Sequence, residues 1–192
     1  MKIVLATGIY PPELGGPATY VSGLALALHK LGHQISVVTY GQAMEKRADD
    51  FAVYYISRSG GPIWRYLRYA WRVFCLARRA DLVYAQGPVS EGFPATLGAK
   101  LAGCPTVIKT VGDYAWEMAQ QKPNAYQAPV VLVDEFLKYK HGGVIGIYER
   151  IERWTARQAR RVIVPGRYLS TVVARWGVPE ERITVEQNAV HA

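Results

Sequence analysis

KIVLATGIYPPELGGPATYVSGLALALHKLGHQISVVTYG, residues 2–41, sets two apolar runs on either side of a helical stretch, and the character of those runs decides the fold. Lys2–Thr7 and His33–Gly41 are short, rich in branched residues and nearly continuous in apolarity rather than alternating. Runs of that kind read as strands buried on both faces. Between them, apolar residues recur at Tyr20, Val21, Leu24, Leu28 and Leu31, the spacing of a helix, and Gly32 is placed to stop it. Strand, helix and strand in that order are the repeating unit of a parallel sheet.

The alternation continues along the chain. Phe51–Ser57, Asp81–Gly87, Pro105–Asp113 with its exit loop, Arg161–Gly166 and Arg182–Val190 read as further strands. Trp64–Ala80, Ser90–Gly103 (with Pro94 in its first turns), Tyr148–Arg160 and Arg167–Gly177 read as helices. The pattern predicts a single α/β domain over residues 1–192, a doubly wound, mostly parallel Rossmann-like sheet of about six or seven strands with helices on both faces. Such sheets hold ligands beyond the carboxyl ends of their strands, at a switch point, so the loops after Thr7, Gln86 and Lys109 form the expected site. Tyr114–Gly146 has weak periodicity and is predicted to be partly helical and partly mobile.

Half of the 192 residues are apolar and a fifth are charged, enough to bury a proper core. The two cysteines, Cys75 and Cys104, stand alone, with no CxxC spacing. They fit a reducing compartment rather than a disulfide framework. The first apolar run is too short for a signal-peptide core, and no stretch approaches the roughly 20 apolar residues of a membrane span. A cytoplasmic protein is expected, soluble or peripheral on the inner face of the membrane. The four histidines lack ligand spacing, so no metal is expected, and Ser22 lies outside any GxSxG elbow.

No GxGxxG follows the first strand, and no GxxxxGK[ST] occurs. What stands there instead is Gly15-Gly16 directly before a helix, where bare amides can approach a phosphate or a sugar hydroxyl. A turn needing positive φ is the competing reading of the same pair. The stretch YPPELGGPATYVSGLALALHKLGHQISVVT, with Tyr10, Pro11, Pro12, Gly15, Gly16, Gly32 and His33, resembles the N-terminal signature of the family 4 retaining glycosyltransferases, which have the GT-B fold. The end of the chain is similar to the close of that family's N-terminal domain, from VIVPG through Gly177-Val178 to Asn188-Ala189-Val190. The resemblance covers nearly the whole chain and is most specific in its first 40 residues.

That resemblance implies the N-terminal half of a GT-B enzyme, with an interdomain linker starting near residue 188 and a C-terminal donor-binding domain missing. It implies transfer, with retention, from a UDP- or GDP-sugar to a glycan, lipid-linked or small-molecule acceptor. No cofactor or obligatory metal is required, and the half alone is expected to be inactive. Gly15, Gly16, Tyr10 and Lys109 are then the candidates facing donor phosphates and substrate. The family often carries a histidine in the loop after the strand matching TVIKT. Here that loop is VGDYAWE, and Asp113 is the catalytic candidate in its place. As residues, Asp113 reads equally as a helix cap, Lys109 and Glu117 as solvated, and His33 as part of a connection. The alternative function is a freestanding peripheral-membrane or glycan-binding module without catalysis. A third is an unrelated Rossmann-like enzyme.

The net charge of +8 comes mainly from arginine. On the Trp64–Ala80 helix, Arg65, Arg68, Arg72 and Arg79 fall within about 60° of arc. Tyr66, Leu67, Ala70, Val73, Phe74 and Ala77 lie opposite, and Trp64 and Trp71 sit on one shoulder. The face reads either as an anionic-membrane contact or as the wet side of a sheet-covering helix. Arg150, Arg153, Arg157, Arg160 and Arg161 alternate with Glu149 and Glu152, which predicts an exposed helix with internal ion pairs. Neither cluster accompanies a nucleic-acid module, so no such partner is expected.

Overall fold

The computed structural model describes residues 1–42, 51–121 and 132–187. Within them lie β1 (Lys2–Thr7), α1 (Gly16–Lys30), β2 (Gln34–Tyr40), β3 (Ala52–Ile56), α2 (Gly61–Ala77), β4 (Leu82–Gln86) and α3 (Gly92–Leu101). There follow β5 (Thr106–Lys109), α4 (Tyr114–Gln120), α5 (Val133–Phe136), α6 (Gly143–Gln158), β6 (Arg161–Val164), α7 (Arg167–Arg175) and β7 (Ile183–Val185). The seven strands form one sheet in the order β3-β2-β1-β4-β5-β6-β7, and every neighbouring pair is parallel. The doubly wound Rossmann-like α/β fold is thus the fold of the chain.

Register follows from burial of both faces. Ile3 pairs Ile35 and Leu5 pairs Val37, while Val4 pairs Val83 and Ala6 pairs Ala85. Along β1, Ile3 and Leu5 enter a core layer with Val21 and Ala25 of α1. Val4 and Ala6 enter the opposite layer with Tyr69, Val73, Ala95, Ala99, Ala156 and Val172, from α2, α3, α6 and α7. A strand with apolar side chains on both sides fits only the middle of such a sandwich. Helix α1 ends where the glycine predicts: Gly32 has φ 83°, and its amide and that of His33 close onto the carbonyls of His29 and Leu28.

Several boundaries differ from the sequence reading. The helix read as Trp64–Ala80 begins three residues earlier, behind Gly60, and stops at Ala77. The weakly periodic Tyr114–Gly146 contains α4, α5 and the first turn of α6, and residues 122–131 within it lie outside the described residues. The last strand is Ile183–Val185, and the predicted linker at Asn188-Ala189-Val190 lies outside the described residues. No helix among the described residues is long and apolar enough to cross a membrane.

Two contacts fix α2. A side chain at Gly98 of α3 would fall inside contact distance of the Ala70 carbonyl, so glycine lets the two helices touch backbone to backbone. On the sheet side, the fully buried Tyr69 hydroxyl lies 2.7 Å from the Val38 carbonyl and 3.1 Å from the Thr7 carbonyl. Gly98→Ala is therefore expected to destabilise the fold by about 3 kcal/mol through overpacking, read as a lower denaturant midpoint at unchanged slope.

Candidate functional site

The loops leaving β1, β4, β5 and β6 converge on one edge of the sheet, and the strand order reverses between β1 and β4. The loop after β1 is braced. Thr7 Oγ1 donates to the Ile9 carbonyl at 2.9 Å, the Glu13 amide to the Tyr10 carbonyl at 3.1 Å, and Tyr55 Oη to the Pro11 carbonyl at 3.3 Å. Arg58 reaches both oxygens of Glu13 at 2.8 and 3.0 Å and the Gly8 carbonyl at 3.4 Å. Tyr10 is buried in the layer with Ile3, Leu5 and Val21, anchoring the loop from below.

Gly15 and Gly16 end this loop, and Gly16 begins α1. A Cβ at Gly16 would meet no protein atom within 4 Å, whereas Gly15 sits at φ 158°, and a Cβ there would lie 2.7 Å from the tip of Ile9. The backbone therefore asks for glycine at 15, whereas nothing inside the chain asks for it at 16. Pro17 follows, and it lines a cavity of about 100 Å³ with Gln86, Gly87, Lys109, Thr110 and Gly112. Lys109 is 2% exposed, with its ammonium 3.8 Å from the centre of the Tyr20 ring on α1. It is a buried cation at the floor of the edge. A second cavity of about 390 Å³ adjoins the first, sharing Val111, Gly112 and Glu117 and extending past Trp116 to Tyr168 and Val172.

Asp113 stands in the β5 loop and caps α4. Its Oδ1 accepts from the Trp116 amide at 2.8 Å and its Oδ2 from Trp176 Nε1 at 3.3 Å, and the residue is 3% exposed. Burial raises its carboxyl above the usual range, against the pull of those two donors. Glu152 of α6 completes the cap by accepting from the Tyr114 and Ala115 amides at 2.9 and 3.4 Å. It is fully buried, so burial, helped by the charge of Asp113, pushes it well above the ordinary glutamate value. Burial likewise raises Glu117. The expectation of an exposed, ion-paired α6 holds in part: Glu149 pairs with Arg153 at 3.5 Å one turn along the helix, but it is buried and also meets His141 at 3.1 Å, and Glu152 faces inward.

Sequence reasoning missed Glu91. This residue precedes α3 and is 6% exposed. Its carboxylate occupies the space that side chains at Gly8 and Gly87 would need, since Cβ atoms there would lie 3.1 and 2.7 Å from its oxygens. Ser90 Oγ donates to it, and the Ser90 carbonyl accepts from Tyr40 Oη at 2.7 Å. Burial pushes the Glu91 carboxyl up to about 7. The signal in the sequence is an acid beside a helix start, paired with glycines after β1 and β4; only the fold brings the three together.

The basic helix also departs from its wheel. Arg65 turns inward, with its guanidinium 5.3 Å from the Tyr40 ring and 5.2 Å from that of Tyr66. Arg72 lies 4.8 Å over Tyr54, and Arg68 donates to the Ser59 and Trp64 carbonyls. Trp64 and Trp71 are on the crest rather than a shoulder, each 66% exposed, because Tyr69, Val73 and Ala77 set the buried side. No group of histidine, cysteine, aspartate or glutamate among the described residues is arranged to hold a metal ion.

The sequence model of the glycosyl transferase 4-like domain matches residues 15–189. Among solved structures, Anabaena Alr3699/HepE in complex with UDP is similar over 99% of this chain and 44% of its own, at 16% identity and TM-score 0.64. The UDP-GlcNAc 2-epimerase of Methanocaldococcus jannaschii matches over 96% and 45%, at 14% identity and TM-score 0.62. A glycosyltransferase from Rickettsia africae matches over 98% and 43%, at 16% identity and TM-score 0.60. At such identities the likeness is one of fold, and the chain spans less than half the length of these structures. No curated protein matches it in sequence.

A glutamate whose burial pushes it up to about 7 binds a proton in the folded state that the unfolded chain has already released above the ordinary glutamate value of 4.5. Its stabilising effect is complete below that lower value and is lost as pH rises to about 7. Glu91→Gln should remove about 3 kcal/mol of this pH dependence. The check is chemical denaturation of both proteins from acid to mildly alkaline pH, with the difference between them growing in favour of the glutamine variant.

Proposed function

Since the chain belongs to the glycosyl transferase 4-like domain family, we propose that it forms the acceptor-side half of a retaining glycosyltransferase that draws a sugar from a nucleotide-sugar donor. The observation that carries this reading is Gly16 at the start of α1: exposed, next to Pro17 of the carboxyl-edge cavity, on a loop braced from behind, and with nothing in the chain's own packing to require it. A UDP- or GDP-sugar held by a donor-binding domain would bring its diphosphate against the start of α1 at the Gly16 amide, Pro17 having no N–H to offer. The helix end favours negative charge there, and fixed amides stabilise the charge that grows on the departing diphosphate. No metal is needed for that step. The UDP carried by the HepE structure supports the choice of donor class.

The other candidates take supporting roles. Tyr10 anchors the loop, and Lys109 contributes a positive charge beneath the cavity. Asp113 acts as a positioning residue, since both its oxygens hold α4 and Trp176, and it shapes the Thr110–Asp113 loop around the transferred sugar. The acceptor, whether glycan, lipid-linked or a small molecule, enters from the side of the larger cavity. A second reading, a peripheral binding module without catalysis, draws on the exposed tryptophans of α2. The two part on turnover by the native full-length protein that contains this chain: transfer or hydrolysis of some UDP- or GDP-sugar is expected, and failure to bind or turn over any of them sinks the transferase reading.

Gly16→Ala separates function from folding. Alanine at the first helical position faces open space, so the melting temperature should hold or rise slightly. Its methyl group nevertheless holds the donor off the amides, and kcat/KM in the full-length enzyme should fall by about tenfold or more. Asp113→Ala should instead lower stability by about 1 kcal/mol through loss of the cap.

A further inference from the structure

At the amino edge of the sheet, α3 and α6 end beside the starts of β5 and β7, and a cavity of about 570 Å³ lies between them. Three cations line it from three elements: Lys100 in the last turn of α3, Arg160 between α6 and β6, and Arg182 directly before β7. Among the described residues, no acidic side chain lines it, and neither Arg160 nor Arg182 forms an ion pair. Thr96, one turn before Lys100 on the same face of α3, also belongs to its wall. That residue is 1% exposed, and its hydroxyl finds no hydrogen-bond partner among the described residues. We propose that this cavity binds a phosphorylated small molecule carrying two or more negative charges, at a site separate from the carboxyl edge.

Cations also gather at helix C-termini to meet the last carbonyls, but here the backbone closes those ends itself. The Gly103 and Cys104 amides bond to the carbonyls of Lys100 and Ala99 at 3.1 and 2.9 Å, and the Ala159 amide to that of Ala156 at 3.2 Å. Lys100 turns instead to the Gln158 side chain, 2.5 Å from its Oε1, and lies 5.8 Å from the centre of the Trp154 ring. Its ammonium is thus held in place and keeps further N–H groups to donate. Arg160 is fixed through its backbone, whose amide donates to the Thr106 carbonyl at 2.9 Å. An ammonium and two guanidinium groups converging from three elements suit phosphate oxygens, which accept from several donors at once. The volume falls within the range of small-molecule sites, about 300–1,000 Å³. A nucleic acid strand calls for cations spread along a track rather than gathered in one hollow. The cavity and the Gly16 loop lie at opposite ends of the strands, so the site stands whether or not the transferase reading does.

The test is titration of the full chain with inorganic pyrophosphate, followed by calorimetry and by backbone amide NMR. One saturable site weakened by added salt is expected, with amide shifts gathered at residues 103–106 and 158–160. Arg160→Ser with Arg182→Ser should weaken binding by about tenfold or more, and Lys100→Gln alone by about threefold. All three positions are exposed, so the melting temperature should hold. Arg78→Ser with Arg79→Ser removes the same charge from exposed positions beside the starts of β1 and β2, on the same edge. That variant should bind within about twofold of the wild type, because the cations that matter are those in contact. No saturable binding, shifts confined to the carboxyl edge around Gly16 and Gly87, or equal loss in the Arg78 and Arg79 variant overturns the proposal. So does tighter binding of a single-stranded oligonucleotide with shifts spread along the whole amino edge.

Discussion

Where a parallel sheet reverses its winding, the chain leaves two adjacent strands in opposite directions and opens a gap at their carboxyl ends. Here the gap lies between β1 and β4, and the carboxylate of Glu91 fills it against Gly8 and Gly87. The fit is close on both sides: a Cβ at Gly8 would press on the acid at 3.1 Å, and one at Gly87, itself at φ 110°, would overlap it at 2.7 Å. Two tyrosines of the neighbouring layer tighten it: Tyr69 between the carbonyls of β1 and β2, and Tyr40 onto the loop that carries Glu91. The loop of Gly15-Gly16, the start of α3 and the seating of α2 all take their positions from this junction.

A second rigid point sits two strands away. Asp113 and Glu152 together occupy the first amides of α4, so the turn after β5 is held from its own end and from α6. The edge therefore has fixed walls at β1 and at β5, with the smaller cavity between them. Preorganisation of this kind suits a site whose chemistry depends on orienting a charged leaving group rather than on a reactive side chain.

Much of this was readable from the chain itself. Lys2–Thr7 and His33–Gly41 announce buried parallel strands because both faces of the sheet are covered, and Gly32 stops α1 where a left-handed residue is required. Gly15-Gly16 could be placed at the edge because alternating strands and helices make a parallel sheet, whose exit loops all gather at the carboxyl ends. What stayed hidden depended on rotation and on long-range contact. A wheel cannot say which arc of α6 faces the sheet, so Glu152 read as half of a surface ion pair when it caps another helix. The same ambiguity put Trp64 and Trp71 on a shoulder, because the roll of α2 is set by Tyr69 and Gly98 and not by its own periodicity. The Arg58–Glu13 brace and the Glu91 wedge join residues 45 and about 80 positions apart, beyond the reach of any local pattern.

The direction of α2 has a consequence for geometry at a surface. The helix leaves the carboxyl end of β3 and runs back to feed the amino end of β4, so its axis lies alongside the strands and opposite to them. Any flat surface that met α2 along Trp64 and Trp71 would therefore run level with the strands. The carboxyl edge would then look sideways along that surface, neither into it nor away from it.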